Sequence, residues 1–382
     1  MLISQQRITP RVSDVLSTCL PQSKLENENL LRKYIPKRHQ YWAGSGREAL
    51  RQILSNLNKQ KVGLPAYTCH VVLDTIKRAG KTPVFYDSGV IAEVDEIKKI
   101  IKDVDVLIVC YNFGFLPEID KIAKLCRKNN VILIEDCAQA LGATYKTSQG
   151  QQLAGSFGDY AFYSFGISKN IGFCGGLIVS NNPLKITTTQ KYPLTQLFKA
   201  IVEASISPLF FNKFFYPFTK RLLFSELHKN QPVFDYSCPL MAQKIILHQL
   251  RRYNGILQQR KINAEYCIKE IENMSNGANI VYPLNASSPA WLYFVLLTDD
   301  REKVKSELLK KNVEVGEMTT FRCLGPLDNN SKNNSTNNST NHPTNHSDYP
   351  LAKQTEQQVL TFALYRETKE IKQIIKKIGE IK

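Results

Sequence analysis

The chain has no long apolar run. No stretch reaches the ~18 uninterrupted apolar residues of a membrane span. The opening segment, MLISQQRITPRVSD, lacks the apolar core of a secretory signal. There is no Cys-x-x-Cys pair either; the nine cysteines are scattered and odd in number. That pattern argues against a zinc site or a disulfide frame, and for reduced thiols in a cytoplasmic protein. Acidic residues are also scarce: 34 Asp and Glu stand against 50 Lys and Arg, a net charge of +16. Such a field attracts anions, whether nucleotide-sugar phosphates, nucleic acid or an anionic membrane face. A solvated, lysine-rich surface is the plainer reading of the same number.

What is present is a globular composition, 43% hydrophobic and 22% charged, on 382 residues, enough for two lobes. From about 41 to 180 the pattern alternates between short apolar runs and amphipathic segments, which predicts an α/β fold with a largely parallel, doubly wound sheet. Gly44, Ser45 and Gly46 form a loop before a helix with apolar Ala49, Leu50, Ile53, Leu54 and Leu57. Such a loop can aim backbone N–H groups at a phosphate, or it is an ordinary helix start. Residues 62–87 read strand, helix, strand. Residues 103–114 hold another strand, and 117–130 a helix with Ile119, Ile122, Ala123 and Cys126 on one face.

The stretch from Val131 to Ser180 organises the rest. Val131–Ile134 is an apolar run ending in Glu135 and Asp136. Tyr160–Phe165 is a second run, ending in a turn that holds Lys169, with a glycine-rich return from Gly172 to Val179. An acid and a lysine at neighbouring strand ends suit pyridoxal phosphate. The lysine amine forms a Schiff base with the cofactor aldehyde, and the carboxylate keeps the pyridinium nitrogen protonated. The plainer reading is a helix-capping acid and a surface lysine.

The wording of this stretch, EDCAQALGATY followed by GSFGDYAFYSFGISKNIGFCGGLIVSN, resembles the sugar-nucleotide aminotransferases of the DegT/StrS type, which are fold-type I pyridoxal phosphate enzymes. The resemblance covers Asp136, Gln139, Gly142, Ser156–Asp159, Ser164 and Lys169. It implies a large cofactor domain followed by a smaller C-terminal α+β domain. It assigns Asp136 to the ring nitrogen, Gln139 to the phenolic oxygen, Ser164 to the phosphate and Lys169 to the Schiff base. It also places the cofactor phosphate at Gly46, Arg47 and Glu48, where a guanidinium could add a direct contact.

Besides Arg47, which stands where the family usually has a small hydroxyl or similar residue, the chain departs from the family in three places. Cys69 stands where the family has an aromatic that stacks on the ring, leaving Tyr67 or His70 as substitutes. Tyr111 stands where the family often has a histidine near the substrate. Tyr236, Ser237 and Cys238 replace an Asn-Tyr-Arg element that reaches the partner subunit's cofactor.

The expected organisation is an N-terminal arm over 1–40, a large domain over 41–236 and a small domain over 237–382. The large domain includes an apolar segment at 191–230, and the small domain a low-complexity loop at 327–348. Residues 237–275 read as a long amphipathic helix, and 290–320 as strand, helix, strand. The segment 197–224 either covers the active site or a dimer face, or contacts anionic lipid at the inner face of the membrane.

The resemblance implies an aminotransferase that moves an amino group from glutamate to a nucleotide-linked keto sugar in surface polysaccharide synthesis. It implies a homodimer with no nucleic acid partner. The competing expectation is a non-catalytic relative that binds within glycan assembly.

Overall fold

The structure, a computed structural model, describes residues 2–5, 9–19, 23–36, 38–187, 190–210, 216, 218, 235–274, 279–318, 320–325 and 349–381. The low-complexity loop, and most of the apolar segment beyond residue 210, lie outside the described residues.

A seven-stranded sheet forms the centre. Its strands in chain order are β1 His39–Ala43, β2 Lys61–Pro65, β3 Thr82–Tyr86, β4 Val106–Cys110, β5 Ile132–Asp136, β6 Tyr160–Ser164 and β7 Gly176–Ser180. Across the sheet they run β1-β7-β6-β5-β4-β2-β3. The strands from β6 to β3 are mutually parallel, while β7 runs against both β6 and β1. This is the mostly parallel sheet that the alternation predicts. The segment leading into the glycine loop, His39–Ala43, is the edge strand β1. Pairing with β7 satisfies backbone groups that a loop would leave to water.

Strand β4 shows why the sheet is central. All five of its residues are buried. Val106, Ile108 and Cys110 join a core with the helices Gly46–Ser55 and His70–Arg78, while Leu107 and Val109 join a second core with the helix Ile119–Lys128 and the long helix Leu240–Glu272. Alternate side chains point to opposite faces, so a strand covered on both sides must be apolar throughout. Each fully buried Val or Leu contributes about 1.5–3 kcal/mol.

The C-terminal part builds a third core on a three-stranded sheet of Asn279–Ile280, Tyr293–Leu297 and Val359–Ala363. The helices Arg301–Lys310, Pro350–Gln358 and Thr368–Gly379 accompany it. The second strand expected near 313–316 is reduced to isolated bridges, Ile3 to Val313 and Gly316 to Thr361. The start of the chain supplies one of those partners. Gln5 Nε2 donates to the Gly316 carbonyl at 2.7 Å and to Thr361 Oγ1 at 3.0 Å.

Candidate active site

Strand register brings the expected residues to one edge of the sheet. Cys110 at the end of β4 pairs with Asp136 at the end of β5, and Asp136 pairs with Phe162 of β6. Ser164, two residues on, pairs with Gly176. Above this edge lies a cavity of about 380 Å³. Gly46, Arg47, Cys69, Asp136, Ser164 and Lys169 all line it.

Asp136 sits at the cavity floor. Its Oδ1 accepts from the Ala138 N–H at 2.9 Å, and the Cys110 thiol also bonds to it. Burial raises its pKa above the ordinary carboxylate range, against the pull of the Ala138 N–H, the Lys169 ammonium and Cys110. A carboxylate held in this way is stabilised by a cation bound over it. Lys169 stands in the turn between β6 and β7, where its N–H donates to the Gly166 carbonyl at 2.8 Å. Phe165 and Phe173 pair across the base of that turn, with the Phe173 N–H 2.7 Å from the Phe165 carbonyl.

The other end of the cavity is a helix start. Ser45 caps the helix Gly46–Ser55, its Oγ accepting from the Glu48 N–H at 3.1 Å. A Cβ on Gly46 would lie 2.7 Å from Ser164 Cβ, and one on Gly176 would lie 2.4 Å from the Ser45 carbonyl oxygen. Glycine at both positions lets the Ser164 hydroxyl and the helix N-terminus close on the same space. Arg47 is half-buried there, with no hydrogen-bond or ion-pair partner among the described residues. Burial lowers its pKa, with Cys69 and Asp74 acting against that through space. These donors, facing Asp136 and Lys169 across one cavity, fit the phosphate, ring nitrogen and aldehyde of pyridoxal phosphate.

Four expected residues stand outside the lining. The Glu48 carboxylate is buried and occupied: Arg51 Nε donates to it at 2.8 Å, Gln52 Nε2 at 2.6 Å and the Asp235 N–H at 2.8 Å. Gln139 Oε1 accepts from the Phe113 N–H at 2.5 Å, while its buried Nε2 has no partner among the described residues. Tyr67 packs against Phe321, ring centroids 6.0 Å apart. His70 is held at the Thr320 carbonyl, 3.1 Å from Nδ1. The residue facing the cavity here is Cys69 itself.

Tyr111 is also away from the cavity. It is buried, and its hydroxyl donates to Glu135 Oε2 at 2.5 Å. Tyr236 supports the glycine loop, its carbonyl accepting from the Gly44 N–H at 2.9 Å.

Sequence reasoning missed Glu135 as a builder of the site. Besides Tyr111, its carboxylate accepts from the N–H groups of Gly155, Phe157 and Gly158 at 2.7, 2.7 and 2.6 Å. It thereby fixes the turn that leads into β6. The acidic pair was the available signal, but its partners lie some twenty residues further on. Gln5 and Glu317 were missed too. They line the cavity opposite the sheet, so its wall combines the start of the chain with the C-terminal part.

A model of the DegT/DnrJ/EryC1/StrS aminotransferase family matches residues 13–378. GDP-perosamine synthase of Escherichia coli O157:H7 is 28% identical over 196 residues, 47% of this chain and 53% of that protein. The pleiotropic regulatory protein of Geobacillus stearothermophilus is 26% identical over 193 residues, 46% of this chain and 51% of that protein. The chain thus spans about half the length of the curated relatives it matches. Among solved structures, a Streptococcus pneumoniae protein described as a sugar aminotransferase, Spr1654 in its PLP form, superposes with a TM-score of 0.71 at 18% identity. That match covers 100% of this chain and 98% of the other. DesV of S. venezuelae, solved with a ketimine intermediate, gives 0.70 at 18% identity, covering 98% of each chain. The fold is that of these sugar aminotransferases.

Proposed function

Since the chain belongs to the DegT/DnrJ/EryC1/StrS aminotransferase family, a pyridoxal phosphate-dependent family of fold type I, we propose that it transfers an amino group to a nucleotide-linked keto sugar. Glutamate is the proposed donor, and surface polysaccharide or a related glycoconjugate the proposed destination. One observation carries this reading: Asp136 and Lys169 share a single cavity with Ser164 and the Gly46 helix start.

Bound here, the cofactor supplies an electron sink for charge developing at the donor Cα. The protein's own groups do the rest. Lys169 would hold the cofactor aldehyde, and its amine would move the proton at the donor Cα as base and then acid. Asp136 would keep the ring nitrogen protonated. Ser164, Arg47 and the Gly46 amide would hold the phosphate.

A homodimer is proposed as well. On the helix Leu194–Phe210, Leu194 is 80% exposed and Phe198 68%, one helical turn apart on a shared face. A second copy would cover that face. If the purified chain sediments as a monomer and instead floats with anionic vesicles, the face belongs to peripheral membrane contact.

The cofactor reading is tested by recording the visible spectrum with added pyridoxal phosphate, reducing with borohydride and mapping the labelled peptide. A visible band and a label on Lys169 are expected. Lys169→Ala should lose both and retain less than about a thousandth of wild-type turnover. Full turnover in that variant would overturn the mechanism. Folded wild-type protein with neither band nor label would leave the non-catalytic relative as the reading.

A further inference from the structure

The long helix Leu240–Glu272 carries a buried polar stripe that the chemistry above does not use. A helix face turned into a core is expected to be apolar. Here Gln249, Tyr253 and Arg260 are all buried, at spacings that place them on one face. Their bonds go to two loops: the one carrying Lys169 and the one following Asp136.

Gln249 Nε2 donates to the Gly172 carbonyl at 2.9 Å. The Gly172 N–H donates to Thr9 Oγ1 at 3.0 Å, and that hydroxyl donates to Gln249 Oε1 at 3.1 Å. Both backbone groups of Gly172 are therefore held from behind. Asn170, next to Lys169, is held as well. With its amide turned so that neither end meets its like, Asn170 donates to the Gln139 carbonyl at 2.8 Å and accepts from Arg260 Nη1 at 3.2 Å. The Tyr253 hydroxyl lies 2.9 Å from the same amide and 2.8 Å from the Leu141 carbonyl.

Arg260 has no carboxylate partner among the described residues. Burial lowers its pKa, and the phenols of Tyr253, Tyr293 and Tyr365 act against that. Burying an unpaired guanidinium is costly, and a leucine or methionine would fill the volume without that cost. The arrangement is accounted for if these groups are present to order the two loops they touch.

We propose that Gln249, Tyr253 and Arg260 are positioning residues that fix the Lys169 turn, through Asn170 and Gly172, to the loop after Asp136. They set how Lys169 reaches whatever is held over Asp136. The proposal rests on the cofactor reading above.

The test uses the full chain with bound pyridoxal phosphate, as wild type, Tyr253→Phe and Gln249→Met. Both variants keep the helix and most of the side-chain volume. Three quantities are read: the pH midpoint of the visible band, kcat against KM for the sugar, and the Tm of the cofactor-free chain. Misplacing a reacting group costs rate rather than ground-state binding. Tyr253→Phe should therefore move the midpoint by about half a pH unit or more. It should also lower kcat about tenfold with KM within about twofold.

Unchanged midpoint and kcat in both variants, whatever happens to Tm, would make the stripe packing alone and overturn the proposal. Should Tyr253→Phe fail to fold, Gln249→Met carries the same reading at Gly172, and Asn170→Ser does so at the amide. A wild-type chain with no band and no borohydride label overturns the cofactor reading and this proposal with it. A wild-type band with unmoved variants overturns only the proposal.

Discussion

Burial sets the Asp136 carboxyl against its own ionisation, more strongly than the Lys169 ammonium and the Ala138 N–H favour it. Its folded pKa is raised, chiefly by burial. Relative to the unfolded chain, the folded state binds this proton more tightly, so ionising the acid costs stability. The sign follows from linkage: this contribution makes the cofactor-free chain less stable as pH rises from the ordinary carboxylate value through the raised one. Asp136→Asn should raise the Tm of the cofactor-free chain at pH 7, while weakening pyridoxal phosphate binding about tenfold or more. Calorimetry and spectral titration measure the two effects, and unchanged cofactor affinity would place the ring nitrogen elsewhere. Tyr111 gives a contrasting case. Tyr111→Phe strips one of the four bonds from the buried Glu135 carboxylate. It should cost about 1–3 kcal/mol in denaturant unfolding. Because Tyr111 does not line the cavity, KM for the sugar should stay put; a large rise would return it to the substrate side.

At the scale of elements, the site depends on two backbones approaching where strand β6 meets the helix Gly46–Ser55. Gly46→Ala would drive a methyl into Ser164, 2.7 Å from its Cβ. It should destabilise the chain by about 1–3 kcal/mol and weaken cofactor binding, read as a lower Tm and a right-shifted titration. This scale also divides what the sequence discloses from what it hides. The five apolar residues of β4, the acid closing β5 and the lysine after β6 follow local periods of two residues and short turns, and a reader of the chain can find them. Which way Gln139 points, or that the Glu48 carboxylate is consumed by Arg51, Gln52 and the Asp235 N–H, depends on partners from other elements. The polar stripe of Gln249, Tyr253 and Arg260 is masked in another way. Interleaved with Ile246, Leu250 and Ile256, it reads as part of an ordinary amphipathic pattern.

For the molecule as a whole, the net charge of +16 acts before any contact forms. A doubly charged nucleotide sugar approaching such a field gains encounter rate, and salt removes that gain as the screening length shortens from roughly 30 Å at 0.01 M to 8 Å at 0.15 M. The expected outcome is a kcat/KM for the sugar nucleotide that falls several-fold across that range while kcat holds steady. A flat profile would assign the excess lysines to surface solvation.

The wall opposite the sheet has a consequence for how the protein is made. Gln5 is synthesised well before Gly316, yet its Nε2 donates to the Gly316 carbonyl, a sequence separation of 311. At about 5–20 residues per second, synthesis of the intervening chain takes roughly 15 to 60 s. Throughout that interval the sheet can assemble while the chamber above it still lacks a side. A nascent chain arrested before Gly316 should therefore expose an open half-site, where a reactive aldehyde could be captured by the lysine but no sugar nucleotide enclosed. Completion of the site is thus a late event in translation, set by when two distant segments of one polypeptide meet.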